Sequence, residues 1–422
     1  MMPRMADPMH VAKPLRVLLS EGNSTSAREA ITILGLSGHS VEVCDPSPYC
    51  LARFSRFVAK FHRCPAMRDD PAGFLCFVET LLAMRHFDVL LPIHEQGFLF
   101  ARVRRRLEDR VALALPNFVS YRTAHSKAGF SRLLDQLGLP QPPTLIVKSA
   151  DELRASVAFP SVLKSSVGTA SNGIWFLHNE ADLEGALRGL RANGAFAGEV
   201  LVQEFVAGTT EKAQAVFCRG ELLGFHAYRQ IAAGAGGGEA IKQSASRPAV
   251  RAHLATIGEK LAWHGALSID YVMPDDNATP RLIDCNPRLV EPMSAYLAGV
   301  DLVGLLLKVS QGETPAAVPE SRAGVRTHLA MQALLGCASR GGTRRDIVRE
   351  CWRLLKGCGP YADSTEELTP VRLDWISAVP LAMIAISLLV APKLAVNLAR
   401  GGWGGHLLDL ASIRRIESED FR

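Results

Sequence analysis

An excess of either charge is nearly absent from this sequence: 47 lysines and arginines face 42 aspartates and glutamates, leaving +5 over 422 residues. So dilute a balance excludes a dedicated nucleic-acid binder. Aromatic residues are scarce at 7%, but hydrophobic residues reach 48%, enough to bury a sizeable core and to exclude a disordered chain. The cysteines number 9, and their closest spacings, Cys44/Cys50 and Cys351/Cys358, form neither a C-x2-C zinc pattern nor a redox pair. They read as buried or free thiols of a reducing compartment, so the cytoplasm is the expected location. The leader MMPRMADPMHVAKPLRVLLSEG lacks the continuous apolar core of a secretory signal. Length argues for two or three domains.

What is present reads first as a βαβ pattern. Arg16 to Ser20 is a short apolar run, followed by a small-residue turn, a helix carrying Ala27, Ala30, Ile31 and Leu34, and a second strand after Gly38. Helical spacing over 74–84, a strand at 87–92 and a further helix complete a parallel α/β unit. Its first turn has no G-x-G-x-x-G, which argues against a nicotinamide cofactor. The next helix, with Phe130, Leu133, Leu134 and Leu137, stops at Gly138-Leu139-Pro140. Strand-like runs follow at 161–164, 174–177, 200–206, 212–217 and 221–229, the last two flanking Arg219-Gly220 as a hairpin. The glycine run at 233–240 is expected to be a mobile loop without regular structure. A helix over 250–263 precedes two strands, LSIDYVM and RLIDC.

Chemistry first shows at Lys164, which ends an apolar strand and leads into SSVGTASNG, a loop through which backbone N–H groups can approach phosphate oxygens. The spacing is not that of a Walker A motif, and small-residue loops after strands are more often plain turns. Gln203-Glu204-Phe205-Val206 and then Glu211 put two carboxylates where ribose hydroxyls or an adenine amino group could be met. Asp270 lies in one strand, and Asp284 and Asn286 lie on alternate positions of the next, so pairing would bring three oxygen donors to one face. That set suits Mg²⁺, which keeps waters and accepts phosphates. Arg288 ends the strand with a guanidinium suited to a phosphoryl group.

Taken in order, the α/β unit, SKAGF with Lys127, VLKSSVGTASNG, QEFVAGTTE, SID and DCNPR resemble the ATP-grasp superfamily of ATP-dependent carboxylate ligases. The likeness is greatest to its carbamoyl-phosphate-synthase-like members and covers residues 16 to about 313. It implies an α/β and α+β chain: a Rossmann-like pre-ATP-grasp domain at 11–118, then an ATP-grasp domain at 119–318, divided into a nucleotide-phosphate subdomain at 119–205 and a metal subdomain at 206–318. Lys127 and Lys164 would contact ATP phosphates under a flap that includes Ser166, Gly168, Thr169 and Gly173. Gln203, Glu204, Phe205 and Val206 would hold adenine, and Glu211 would add an acidic nucleotide contact. Asp270, Asp284 and Asn286 would hold Mg²⁺, or Mn²⁺ in its place. Arg288, Lys242 and Arg247 would be catalytic, the last two on the substrate side with Ser244. The family usually has glutamate where this chain has Asp284, one methylene shorter for bridging two metals.

The activity this implies is an ADP-forming ligase that activates a carboxylate as an acyl phosphate for attack by an amine or similar nucleophile, with small-molecule substrates and no nucleic acid. A nucleotide-binding regulatory or scaffold protein without turnover is the rival reading, and a membrane assembly factor a third. Residues 319–422 are expected to form a mainly helical extension. Its helix over 344–356 sets Arg345, Arg349, Arg353 and Lys356 along one side and Ile347, Cys351, Leu354 and Leu355 along the other. The apolar segment 375–396, uncharged from Trp375 to Pro392, lies at the lower limit for a bilayer span. One crossing would export Lys393, Arg400, Arg414 and Arg415 against the positive-inside tendency. A buried or membrane-surface helix is the better expectation, with surface contact through 344–396.

Overall fold

The computed structural model describes residues 13–168, 173–276, 279–395, 397–398 and 407–421. The first four strands, β1 (Arg16–Leu19), β2 (Ser40–Asp45), β3 (Val58–Arg63) and β4 (Val89–Leu91), form a parallel sheet in the order β3-β2-β1-β4. The apolar run of β1 is buried on both faces, as a central parallel strand requires. Helix α1 (Thr25–Leu36) starts at Ser24, whose side chain accepts the Ala27 N–H, and is buried continuously from Ser26 to Leu34. Helices exposed on one side keep their charges there, but α1 has no such side. Arg28, Glu29 and Thr32 are therefore interior groups that need partners from other parts of the chain.

Strands β5 (Thr144–Val147), β6 (Ser161–Ser165), β7 (Ile174–Leu177) and β8 (Val200–Glu204) make an antiparallel sheet in the order β5-β8-β6-β7. Helix Glu180–Ala192 covers it with Leu183, Ala186, Leu187 and Leu190 at helical spacing. The remaining strands are β9 (Gly208–Cys218), β10 (Glu221–Ala233), β11 (Glu239–Ser244), β12 (Gly265–Pro274), β13 (Arg281–Asn286), β14 (Arg326–His328) and β15 (Ser364–Glu366). They build a seven-stranded sheet in the order β13-β12-β9-β10-β11-β14-β15. One face carries Ala213, Ala215, Phe217, Leu267, Ile269 and Tyr271 into the core. Helix Pro248–Lys260 lies so close that a Cβ on Gly258 would fall 2.2 Å from the Phe217 ring.

The glycine run at 233–240 departs from the expected mobile loop. It is a short turn joining β10 to β11, closed by Gly234 N–H to Gly238 O at 2.7 Å, with Gly236 and Gly237 at positive φ. The Gln332 side chain accepts the Ala235 N–H at 3.0 Å and pins the turn to helix Ala330–Ser339.

The C-terminal segment is largely helical, yet it is woven into both preceding layers. Its strands β14 and β15 extend the large sheet. Asp374 reaches Arg28 of α1 at 2.7 Å with neither side chain exposed. Helix Leu410–Ser418 places Ile413 and Ile416 in the core cluster that holds Phe74 and Leu90. The apolar segment forms helix Ala378–Val390 and then breaks at Ala391, whose extended backbone precedes Pro392. Among the described residues no helix is long and apolar enough to cross a membrane.

Candidate active site

The second face of the seven-stranded sheet is polar because side chains alternate along each strand. Asp284 and Asn286 of β13, Ser268 and Asp270 of β12, Lys212 and Gln214 of β9, His226 and Tyr228 of β10, and Lys242 of β11 all fall on it. The register sets Asp270 opposite Asp284 and Ser268 opposite Asn286, so two carboxylates and an amide meet. A bulge follows at once, since Tyr271 pairs with Leu282 and Ile283 is left out of the ladder. The Ile283 carbonyl is thereby free to accept the Lys164 ammonium at 2.9 Å.

Two lysines face this carboxylate pair. Lys127, at the start of helix Lys127–Leu137, lies 2.8 Å from Asp284 Oδ2 and donates to Gly168 O at 3.0 Å. Lys164 ends beside the same carboxylates, where burial lowers its ammonium to about 8 against the opposing pull of Asp284. Burial pushes Asp270 up to about 6, with Lys212 holding it down and Asp284 adding repulsion. The loop after β6 docks on that helix: Lys127 N–H donates to Ser166 O at 3.0 Å, and the Ser126 and Ser166 hydroxyls lie 2.9 Å apart. Gly173 closes the loop with its carbonyl on Ser165 N–H at 2.8 Å. Thr169 lies outside the described residues.

Arg288 follows β13, with its guanidinium 3.3 Å from Asn286 Oδ1 and its carbonyl accepting the Ser268 hydroxyl. It lines a pocket with Lys127, Gly168, Asn286, Tyr121 and His125. A separate cleft of about 560 Å³ is walled by Leu139 to Thr144, Glu204, Val206, Pro274 and Arg281. Glu204 N–H is fixed on Pro143 O at 2.9 Å, and the Gln203 amide donates to Thr144 at 3.0 Å. Phe205 sits beside this segment, half-exposed and edge-on to Phe176.

Glu211 and Arg247 do not join this group. Glu211 precedes Lys212 on β9 and so points to the other face, where it takes two 2.7 Å bonds from Arg247 and one from the Tyr271 hydroxyl at 2.9 Å. Their charges satisfy one another, which argues against the nucleotide and catalytic roles expected of them. Ser244 donates to Arg322 O at 2.6 Å and serves the sheet edge. Lys242 has no exposure at all, bound to Glu291 at 2.6 Å and Glu367 at 2.5 Å.

Several polar residues here escaped the sequence reading. Lys212 is buried 2.7 Å from Glu239, next to Asp270 across the ladder. Glu291 holds a left-handed backbone, φ 56°, and accepts the Tyr228 hydroxyl at 3.1 Å. Glu29 of α1 accepts the Met293 N–H at 2.9 Å. Only Lys212 left a usable signal, as a charge alternating with apolar residues in a strand.

For a divalent cation, the donors on offer are hard oxygens from Asp270, Asp284 and Asn286, a set that suits Mg²⁺ and leaves positions for phosphate and water. Among the described residues no group of three His, Cys, Asp or Glu could hold a metal by itself.

No family model matches the chain. The arginine-specific large chain of carbamoyl phosphate synthase from Geobacillus stearothermophilus is 24% identical over 213 residues, covering 46% of this chain and 19% of that protein. The chain thus spans about a fifth of that relative's length. Among solved structures, the biotin carboxylase domain of 2-oxoglutarate carboxylase from Hydrogenobacter thermophilus, in complex with Mg-ADP, ADP and bicarbonate, is similar with a TM-score of 0.59 at 15% identity, covering 75% of this chain and 74% of that one. N5-carboxyaminoimidazole synthetase from Staphylococcus aureus, complexed with ADP, is similar with a TM-score of 0.58 at 14% identity, covering 76% and 84%. Motif order, sheet architecture and these likenesses agree: the chain has the fold of the ATP-grasp enzymes and is similar in sequence to carbamoyl phosphate synthase large chains.

Proposed function

We propose that this chain is an ATP- and Mg²⁺-dependent, ADP-forming ligase that joins a small carboxylate to an amine or similar nucleophile. The observation that carries the reading is the pairing of Asp270 with Asp284 across β12 and β13, faced by Lys127 and Lys164 beneath a glycine-bearing loop. Before nucleotide arrives the two lysines are matched by Asp284 and the Ile283 carbonyl. Phosphate oxygens then replace these partners, and the loop from Ser166 supplies N–H groups above them. Adenine enters the cleft beside Glu204 and Val206. Asp270, Asp284 and Asn286 would hold Mg²⁺, which would supply charge neutralisation at the phosphates. Arg288 and Lys127 hold the γ-phosphoryl group in line with a carboxylate oxygen, which attacks phosphorus and displaces ADP. The nucleophile then attacks the acyl carbon and phosphate leaves.

ADP complexes of similar proteins support the nucleotide product. Hydroxylamine supplied with ATP and a panel of carboxylates should trap a hydroxamate with ADP in equal amount. Formation of AMP, or of no nucleotide product with any acid, would reject the ligase reading, and the second result favours a binding protein without turnover.

A membrane-surface contact through 344–396 is a further part of this reading. Helix Ala378–Val390 leaves Val379, Met383, Ile386 and Val390 exposed along one stripe, and Val348, Trp352 and Leu355 stand exposed on helix Arg344–Lys356, which packs beside it. Arg345, Arg349 and Lys356 on the same basic helix are exposed as well. An apolar stripe edged by tryptophan and arginine fits an anionic lipid surface. Co-sedimentation with phosphatidylglycerol vesicles but not phosphatidylcholine vesicles is expected, and failure to bind either removes this part.

A further inference from the structure

The polar face of the large sheet continues past the metal carboxylates into a closed end that nothing above uses. Four carboxylates, Glu29, Glu239, Glu291 and Glu367, gather there, all buried, against Lys212 and Lys242 alone. They come from distant parts of the chain: Glu29 from α1, Glu239 from β11, Glu291 from the turn before helix Pro292–Leu297, and Glu367 from just after β15. Buried charge that exceeds its counter-charge must be met by protons or by a cation.

Burial pushes the Glu29 carboxyl well above its ordinary range and Glu367 up to about 7, so protons meet part of the excess, and the unpartnered atoms mark where a cation would meet the rest. Glu29 Oε1, Gln214 Oε1 and Glu239 Oε2 are buried acceptors without a hydrogen-bond partner, and both ring nitrogens of His226 are likewise unpaired. The Gln214 amide nitrogen is already committed to Glu291 O at 3.2 Å, so its oxygen is the end left over. Neutral His226 offers one unused N–H and one further acceptor, so unmet acceptors outnumber unmet donors. An ammonium carries three N–H donors and a guanidinium five, whereas a hydroxyl carries one and a carboxylate none. Glu291 adds a strained left-handed backbone held by the Lys242 and Tyr228 contacts, a kind of strain that collects at ligand sites.

We propose that this closed end, formed by Glu29, Gln214, Glu239, Glu291 and Glu367, binds the nucleophilic substrate and selects a cationic amine or guanidine. The inference rests on the ligase reading and names the substrate class of that site. The cation enters as R–NH₃⁺ and gives one proton to a carboxylate of the cluster. The neutral nitrogen attacks the acyl carbon, the C–N bond forms, and the C–O bond to phosphate breaks with its electron pair leaving on phosphate. The second N–H proton departs with the phosphate. Lys212 places the cluster one strand from Asp270, so both substrates share a single polar face.

Calorimetric titration of the full chain without nucleotide tests the proposal, with 1,4-diaminobutane and ethylguanidine as probes and 1,4-butanediol as the uncharged comparison. Saturable binding of at least one cation, tenfold or more tighter than the diol, is expected. Glu29→Gln and Glu367→Gln should each weaken that cation tenfold or more while circular dichroism stays unchanged. Equal affinity for the diol, no saturable cation binding, or undiminished binding in both variants overturns it. Should both variants misfold, the comparison of cation with diol on the unaltered chain decides alone. Cation binding by a chain that takes no nucleotide would refute the ligase reading and not this site; nucleotide binding without cation binding would do the reverse.

Discussion

Removing the Asp374 carboxylate should destabilise the protein far more than its place in a C-terminal loop suggests. Arg28 and Asp374 are both without exposure, 2.7 Å apart, and Asp374 also accepts the Ser55 hydroxyl and the Arg56 N–H. At an effective dielectric of about 20, two unit charges at that distance attract by roughly 6 kcal/mol, part of which offsets their desolvation. Losing one partner leaves the other charge buried and unmatched, at a cost of about 3 to 5 kcal/mol. The Arg28 Nε already lacks a partner, and the Thr32 hydroxyl that Nη1 meets at 2.6 Å is uncharged and cannot replace the carboxylate. Asp374→Ala should therefore lower the folded-to-unfolded ratio by roughly two to three and a half orders of magnitude. Urea unfolding followed by far-ultraviolet circular dichroism measures this as a lower midpoint at unchanged slope. Pairing Arg28→Met with Asp374→Leu should recover most of the loss, since no orphan charge remains. A loss below about 1 kcal/mol in the single variant would refute the reasoning, because that is what an exposed pair is worth.

Three other outcomes are expected. Lys164 is charged below about 8 in the nucleotide-free chain, so nucleotide affinity should fall as pH rises through that value, with proton uptake on binding. Calorimetry in two buffers of different ionisation heat measures the uptake, and Lys164→Arg should abolish the trend. Asp284→Asn should cut Mg²⁺-dependent turnover by about 100-fold or more while leaving the thermal midpoint nearly unchanged, read by ADP release and by melting. Trp352→Ala combined with Met383→Ser should lower partition onto phosphatidylglycerol vesicles about tenfold in a sedimentation assay, with ADP formation as the internal control.

The polar face that carries Asp284 and Asn286 was legible because strand alternation is a short-range property. Asp284 and Asn286 two positions apart had to share a face, and SID before a turn had to pair with LIDCN. The same rule, applied one residue more strictly, separates Glu211 from Lys212, and the seven-residue spacing from Glu204 concealed that Glu211 enters on the wrong side. Strands β14 and β15 were invisible because each is only 3 residues long, too short for any period to show. Glu29, Glu367 and Asp374 escaped for another reason: each is an ordinary charged residue locally, and its partner lies across the chain. A consequence is that truncating the chain after Pro319 would not simply release a membrane anchor. It would remove Glu367 and Asp374 together with two strands of the large sheet.

The Arg28–Asp374 pair also sets a clock on biosynthesis. The two residues are 346 positions apart, so a ribosome adding about 5 to 20 residues per second needs on the order of 20 to 70 s to deliver the second after the first. During that interval α1 lacks both the Arg28 counter-ion and the helices Pro292–Leu297 and Leu302–Ser310 that it packs against, so it cannot yet take its final buried place. The N-terminal layer is thus provisional while it emerges, free to open and re-form, and it locks when the far end of the same molecule arrives.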